Sequence, residues 1–329
     1  MYEDLPADLL GQDPGPLLAW ADTVLTERGR PAVGAPTWRR NRHWSDVVRL
    51  PTADGPVWAK ANAAGFAHEG PLLALIAERT PGTVVEPFAV DAARGWLVLP
   101  DGGATLRDVG PPDPDRSWRQ LLVGYADVQR RLIPLADAAL AVGVPDTRGR
   151  AVLTALEPAV EAATDPRVHG DHRLGRAEAD AARRLVPTLI ALADELSDSP
   201  VPAGVEHNDP HPGNVFAASG RLFDFGDAVV GHPFLGLAGA LPDAAAALGT
   251  SIAAPEVQGI RAEYLARFAD LGLSARLRRD ADLAAVLNHL PRAATWLRVV
   301  PAGRALFPAA LPDRVRSLLR SAAELRPPR

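Results

Sequence analysis

Between positions 207 and 227 the chain spaces polar residues in a way that can do chemistry. His207-Asn208-Asp209-Pro210-His211-Pro212-Gly213-Asn214 is followed, after Val215 to Phe223, by Asp224-Phe225-Gly226-Asp227. The intervening stretch reads as two short apolar strands around a turn at Ala218-Ser219-Gly220. Residues 214 and 224 are nearly equidistant from that turn. A hairpin would therefore set an amide oxygen beside a carboxylate, two ligand types that a hard divalent ion such as magnesium accepts. Asp209 stands on the loop just before the first strand, where a carboxylate can meet a hydroxyl that is about to lose its proton.

A second residue fits the same chemistry. Lysine and arginine total 35, and a single one of them, Lys60, is lysine. An ammonium on a thin stem fits where a planar guanidinium fork does not, such as between the phosphates of a nucleotide and a carboxylate. Lys60 closes the apolar run Val57-Trp58-Ala59-Lys60, and Glu69 is the natural carboxylate partner. Gly70-Pro71 follows at once, and proline belongs in the first turn of a helix, so the helix should begin near Glu69.

Composition narrows the classes. A chain of 329 residues with 47% apolar and 23% charged residues has the balance of an ordinary globular protein, long enough for two lobes. A net charge of −5 gives no electrostatic footprint for nucleic acid. The absence of cysteine removes disulfides, thiolate zinc sites and a cysteine nucleophile, and fits a cytoplasmic protein. The acidic start Met1-Tyr2-Glu3-Asp4 lacks the features of a secretory signal, and no apolar run is long enough to span a membrane.

These residues need a scaffold, and the sequence changes character along its length. Helical spacing over 15–29 gives way, from about 33 to 100, to short strands at Ser45–Leu50, Val57–Ala61, Val84–Val90 and Trp96–Leu99, with one helix at 70–79. After Asp101-Gly102-Gly103 the pattern is helical: 116–142, 150–163, 173–197, 235–249, 255–272, 280–299 and 311–325, broken only by the hairpin near 215–224. The Pro-Pro-Asp-Pro segment at 111–114 reads as a connector. The expected fold class is α+β: a small antiparallel-sheet lobe over residues 1–100, and a larger helical lobe over 101–329 that carries the loop 207–214 and the segment 224–227.

The lysine strand, the helix glutamate, the Gly-Gly hinge, H-x-D-x-x-x-x-N and D-F-G-D together resemble the aminoglycoside phosphotransferase and choline kinase family, a small-molecule branch of the protein-kinase-like fold. The resemblance spans roughly residues 35–240 and is densest at 205–237. It implies magnesium-dependent transfer of the γ-phosphoryl group of ATP to a hydroxyl of a small molecule, with ATP and Mg2+ as cofactors and neither nucleic acid nor membrane as partner. Carried over by position, Asp209 would be the catalytic base and His207 the brace of its loop. Asn214 and Asp224 would hold the metal, with Asp227 as support or as a cap of the next segment. Lys60 and Glu69 would serve the nucleotide. Ser45, in Asn41-Arg42-His43-Trp44-Ser45, would meet phosphate together with Arg42. The carbonyl of Pro100 and the amide of Gly102 would read the base. The chain departs from the family in having Asn208 where glycine is usual and Pro210 where leucine is usual, and no glycine-rich loop precedes Lys60.

Other readings compete. His207, Asp209 and His211 alternate as metal ligands can, which suggests a metal-dependent hydrolase, although Pro210, Pro212 and Gly213 oppose a regular strand. A catalytically silent nucleotide-binding module of the same fold is another. His169-Gly170-Asp171 imitates part of the motif, but position 176 is arginine rather than asparagine, so Asp171 reads as a helix cap. From Leu237 onward 13 basic residues face 8 acidic ones, which disfavours a polycationic acceptor. Asp243, His289 and Trp296 are polar or aromatic candidates there on position alone.

Overall fold

The computed structural model describes residues 5–110, 113–299 and 307–325. The acidic residues 1–4 and the first two prolines of the expected connector lie outside them. A five-stranded antiparallel sheet is built from β1 (Trp38–Asn41), β2 (Ser45–Leu50), β3 (Val57–Asn62), β4 (Ala89–Asp91) and β5 (Trp96–Pro100), in the order β1-β2-β3-β5-β4. Helix α1 (Gly15–Glu27) covers one face: its Leu17, Ala21 and Leu25 pack with Val48, Leu50, Val57, Ala59, Ala61 and Val98. Helix α2 (Glu69–Arg79) covers the other, with Leu72, Leu73 and Ile76 clustered around Leu97.

The alternation of a strand decides where Lys60 goes. Ala59 and Ala61 face α1, so the residue between them must face away from it. Lys60 pairs in register with Val47 and Leu97, and its ammonium emerges on the side of α2. Helix α2 begins at Glu69 with Pro71 in its first turn, as the proline rule requires.

The strand expected at Val84–Val90 is shorter. Only Ala89–Asp91 joins β5, while Val84 bridges to Leu222 and the Thr83 carbonyl accepts from the Leu222 N–H at 3.0 Å. Pro87 lies between the two pieces and cannot donate to a ladder. The segment thus stitches the sheet to the hairpin rather than extending the sheet.

The remainder is mostly helical, in a mixed α+β fold. Several expected helices are subdivided at prolines. The 116–142 stretch becomes Pro114–Leu132 and Ala136–Ala141 around Pro134, and 173–197 becomes Arg176–Arg184 and Val186–Ser197 next to Pro187. The 280–299 stretch becomes Ser274–Leu287 and His289–Val299. Asp171 caps no helix: the side chain of Asp165 caps Pro166–His169, and Gly175 with Glu178 opens Arg176–Arg184. A second small sheet, β6 (Gly204–Glu206) against β7 (Val229–Gly231), was not expected. Its strands have three residues each and are buried on both faces, too short to show a period. They frame the chemistry, since β6 runs into His207 and β7 leaves from just after Asp227.

Candidate active site

A cleft of about 650 Å3 lies between the sheet and the helical part. Lys60, Glu69 and Ser45 line it from the sheet side, and Asp209, Asn214, Asp224 and Asp227 from the other. The hairpin forms as the spacing requires: Phe216 N–H donates to Arg221 O, and Phe223 N–H to Asn214 O at 3.2 Å. Gly220, at φ +67°, supplies the left-handed residue of the turn. Asn214 is thereby fixed beside the backbone that enters Asp224.

Lys60 Nζ sits 2.6 Å from Glu69 Oε2 and 2.8 Å from Asp224 Oδ1, so one ammonium holds two carboxylates from distant parts of the chain. Asn62 Nδ2 donates to the same Glu69 oxygen at 2.9 Å. Burial works against the charge on Lys60, but Asp224 and Glu69 outweigh it and raise its pKa. Glu69 is pushed up by burial, and Asp224 is held down chiefly by Lys60. The Asp224 side chain is 52% exposed, open to the cleft. Its backbone is left-handed (φ +63°, ψ +58°), a conformation a non-glycine residue adopts at a cost and typically at functional positions.

The loop before the hairpin is held from beneath. His207 Nε2 lies 2.9 Å from Phe223 O, and the Asp209 N–H points at His207 Nδ1 at 3.3 Å. The neutral Nε2–H tautomer satisfies both bonds. Asn208 occupies a left-handed position, φ +65°, which accounts for an asparagine where glycine is usual. Its side chain is buried, with Nδ2 3.4 Å from Asp227 O. Asn214 Nδ2 donates to Asp209 O at 3.1 Å, which directs the amide N–H to the loop and leaves Oδ1 for a ligand. Asp209 itself lies 3.4 Å from His211 Nε2 and 3.5 Å from Arg292 Nη2. Burial alone would raise its pKa, but His211 and Arg292 prevail and lower it to about 2.

The Asn41–Ser45 segment is a tight turn between β1 and β2, closed by Arg42 N–H to Ser45 O at 2.8 Å. Ser45 and Arg42 line the cleft, whereas His43 turns away to Asp8. Pro100 lines the cleft at the end of β5. Gly102 packs against Phe216 so closely that any side chain there would collide with the ring.

Four residues without a signature in the sequence motifs support this loop directly or through one another: Arg292, Glu206, Tyr125 and Gln129. Arg292, from His289–Val299, reaches Asp227 Oδ1 and Asn208 O at 3.1 Å each. No motif marks it, and it lies far along the chain. Of the residues picked on position, Trp296 does line the cleft, whereas His289 bonds Ser321 in the last helix. Beneath the loop, the fully buried Glu206 carboxylate receives donors from Tyr125, Gln129 and the Asn208 N–H, and Tyr125 Oη in turn accepts from His207 N–H at 3.1 Å. A lone carboxylate in the apolar strand Gly204–Glu206 was the available signal.

Glu206 carries a testable consequence. Burial raises its pKa from 4.5 to about 7, in spite of its three hydrogen bonds. A carboxyl raised in the folded state favours folding while protonated, and that advantage is lost as pH rises from the unfolded value through the folded one. Relative to Glu206→Gln, the wild-type protein should lose about 3 kcal/mol of stability between roughly pH 4 and pH 8. Denaturant unfolding of both proteins across that range checks this; parallel pH profiles would contradict it.

The hydrolase alternative does not find its ligands here. Both ring nitrogens of His207 face the backbone, and among the described residues no three His, Asp or Glu side chains gather in a metal-holding group. Among the described residues, no helix is long and apolar enough to cross a membrane.

A sequence profile of the phosphotransferase enzyme family matches residues 36–278, well over half of the chain. The chain belongs to the phosphotransferase enzyme family. No curated protein sequence matches it significantly. Solved structures of this phosphotransferase fold superpose on it. A Plasmodium vivax ethanolamine kinase aligns with a TM-score of 0.60 at 9% identity, over 95% of this chain and 89% of that one. Aminoglycoside phosphotransferase APH(3'')-Id from Streptomyces rimosus, in complex with ADP and streptomycin, gives 0.51 at 17% identity, over 84% and 98%. The GDP complex of aminoglycoside 2'-phosphotransferase-IIIa gives 0.54 at 14% identity, over 93% and 98%. At these identities the likeness is one of fold.

Proposed function

We propose that this phosphotransferase moves the γ-phosphoryl group of ATP, with magnesium, to a hydroxyl of a small molecule. The observation that carries the reading is the double ion pair of Lys60 with Glu69 and Asp224, opposite Asp209 and Asn214 in one cleft. In this reading residues 1–100 hold the nucleotide, and residues 101–329 supply the catalytic loop and metal segment.

The residues present fit both implied groups. Asn214 Oδ1 and the half-exposed Asp224 carboxylate are oxygen donors suited to magnesium, with the partly buried Asp227 in support. When bound, the metal neutralises charge on the phosphates. Lys60 is held in place for a phosphate by Glu69, and Ser45 and Arg42 stand at the turn above it. The Pro100 carbonyl and the Gly102 amide are the backbone groups for the base, and the ADP and GDP complexes of the structural neighbours support a nucleotide in this cleft.

Asp209, with a pKa of about 2, does not strip a free alcohol of its proton in advance. It orients the hydroxyl and receives the proton late, as the oxygen–phosphorus bond forms. His207 braces the loop. The acceptor is a hydroxylated compound of the size that the neighbours handle: an antibiotic, a sugar, an amino alcohol or another small metabolite. The test is transfer itself. With Mg·ATP and a panel of hydroxylated compounds, the enzyme should give ADP together with a product heavier by one phosphoryl group. Release of ADP only as free phosphate appears, across a panel spanning these classes, would contradict the reading.

A further inference from the structure

The reacting centre is crowded with negative charge. Asp209, Asp224 and Asp227 all line the cleft, and a triphosphate brings more. Lys60 is committed to Glu69 and Asp224 on the sheet side. On the acceptor side one guanidinium touches three parts of the machinery at once. Arg292 reaches the Asp209 and Asp227 carboxylates and the Asn208 carbonyl, with its side chain 17% exposed. It comes from His289–Val299, beyond the residue where the family profile ends.

We propose that Arg292 is a catalytic residue: a guanidinium delivered in cis by a C-terminal helix to neutralise the phosphoryl group in flight between the nucleotide and the acceptor. The inference rests on the phosphoryl-transfer reading. In that step the acceptor oxygen forms a bond to the γ-phosphorus while the bond from that phosphorus to the β,γ-bridging oxygen breaks. The electron pair leaves with ADP, and the hydroxyl proton passes to Asp209. The moving group is anionic and must pass close to Asp209, so a cation already 3.5 Å from that carboxylate is placed where repulsion would otherwise be greatest. The fork geometry suits the task, because one edge can stay on Asp227 and Asn208 while another nitrogen turns to a phosphoryl oxygen. A plain structural brace would serve the resting loop equally well, so the test must separate ground state from transition state.

Affinity for Mg·ADP alone and for Mg·ADP with fluoroaluminate, a mimic of the transferring group, should be measured by calorimetry on wild type and Arg292→Ala. The variant is expected to keep Mg·ADP affinity within about twofold and to lose about 100-fold of the affinity for the fluoroaluminate complex. Added guanidinium should restore part of that loss. If Arg292→Ala does not fold, Arg292→Lys, which keeps charge without the fork, should show the same selective loss at smaller size. Equal losses for both ligands would reduce Arg292 to a brace of the loop, and an undiminished fluoroaluminate complex would remove it from the step; either overturns the proposal and leaves the nucleotide site standing. A wild-type protein that binds no Mg·ADP would instead bring down the phosphotransfer reading itself.

Discussion

Asp209→Asn should bind Mg·ATP as the wild type does and turn it over about 100- to 10,000-fold more slowly. The substitution preserves shape, and the loop contacts beneath it do not depend on the carboxylate. The Asp209 N–H donates to His207, and its carbonyl accepts from Asn214. What changes is the acceptor of the hydroxyl proton, and with it the charge that His211 and Arg292 are arranged around. An amide cannot take a proton as the oxygen attacks. Steady-state kinetics on the phosphorylated product, with nucleotide affinity measured separately, distinguishes the two effects. A variant with a wild-type rate would remove Asp209 from the role of base.

The juxtaposition behind that proposal could be read from spacing because the segment is local. Asn214 and Asp224 stand at the two ends of one hairpin, and its turn with Gly220 brings Asn214 beside the backbone that enters Asp224. Lys60 was legible for another reason: a lone lysine among arginines, on a strand whose neighbours must face α1. Glu69 was legible as the carboxylate partner for Lys60, and the proline rule placed the start of its helix. The parts that escaped the sequence are those set by tertiary packing. Nothing near position 292 announces a guanidinium that meets Asp209 and Asp227, since its partners lie 65 or more residues earlier. The carboxylate of Glu206 makes sense only once Tyr125 and Gln129, from the helix Pro114–Leu132, are seen to point at it. The three-residue strands β6 and β7 carry no period at all, and Pro87 turned an apparent strand into a stitch to the hairpin. Asn208 had been a departure from the family pattern, and its positive φ shows it to be a solution of the same backbone problem that glycine solves.

Asp224→Ala should have the other large effect, and on binding rather than on turnover. In the proposed site Asp224 would be the anionic oxygen of the metal pair, and it is one of the two partners of Lys60. Its removal leaves Lys60 paired with Glu69 at 2.6 Å, so the buried ammonium keeps a counter-charge and the fold should survive. The metal would keep only the neutral oxygen of Asn214 and the more deeply placed Asp227, which is paired to Arg292. The loss should therefore appear as the disappearance of the magnesium-dependent part of nucleotide affinity, while any contribution of the base and sugar persists.

Thermal unfolding of wild type and Asp224→Ala, with ATP alone and with ATP plus magnesium, is the most direct test of the proposed nucleotide–metal site. A ligand at about 100 times its dissociation constant adds about 2.7 kcal/mol of stability, enough to raise the melting temperature by several degrees. Wild type should be stabilised by ATP more strongly when magnesium is present, and Asp224→Ala should show no magnesium increment. Equal increments in the two proteins would place the metal elsewhere, and a wild-type protein indifferent to ATP and magnesium would contradict the account at its centre.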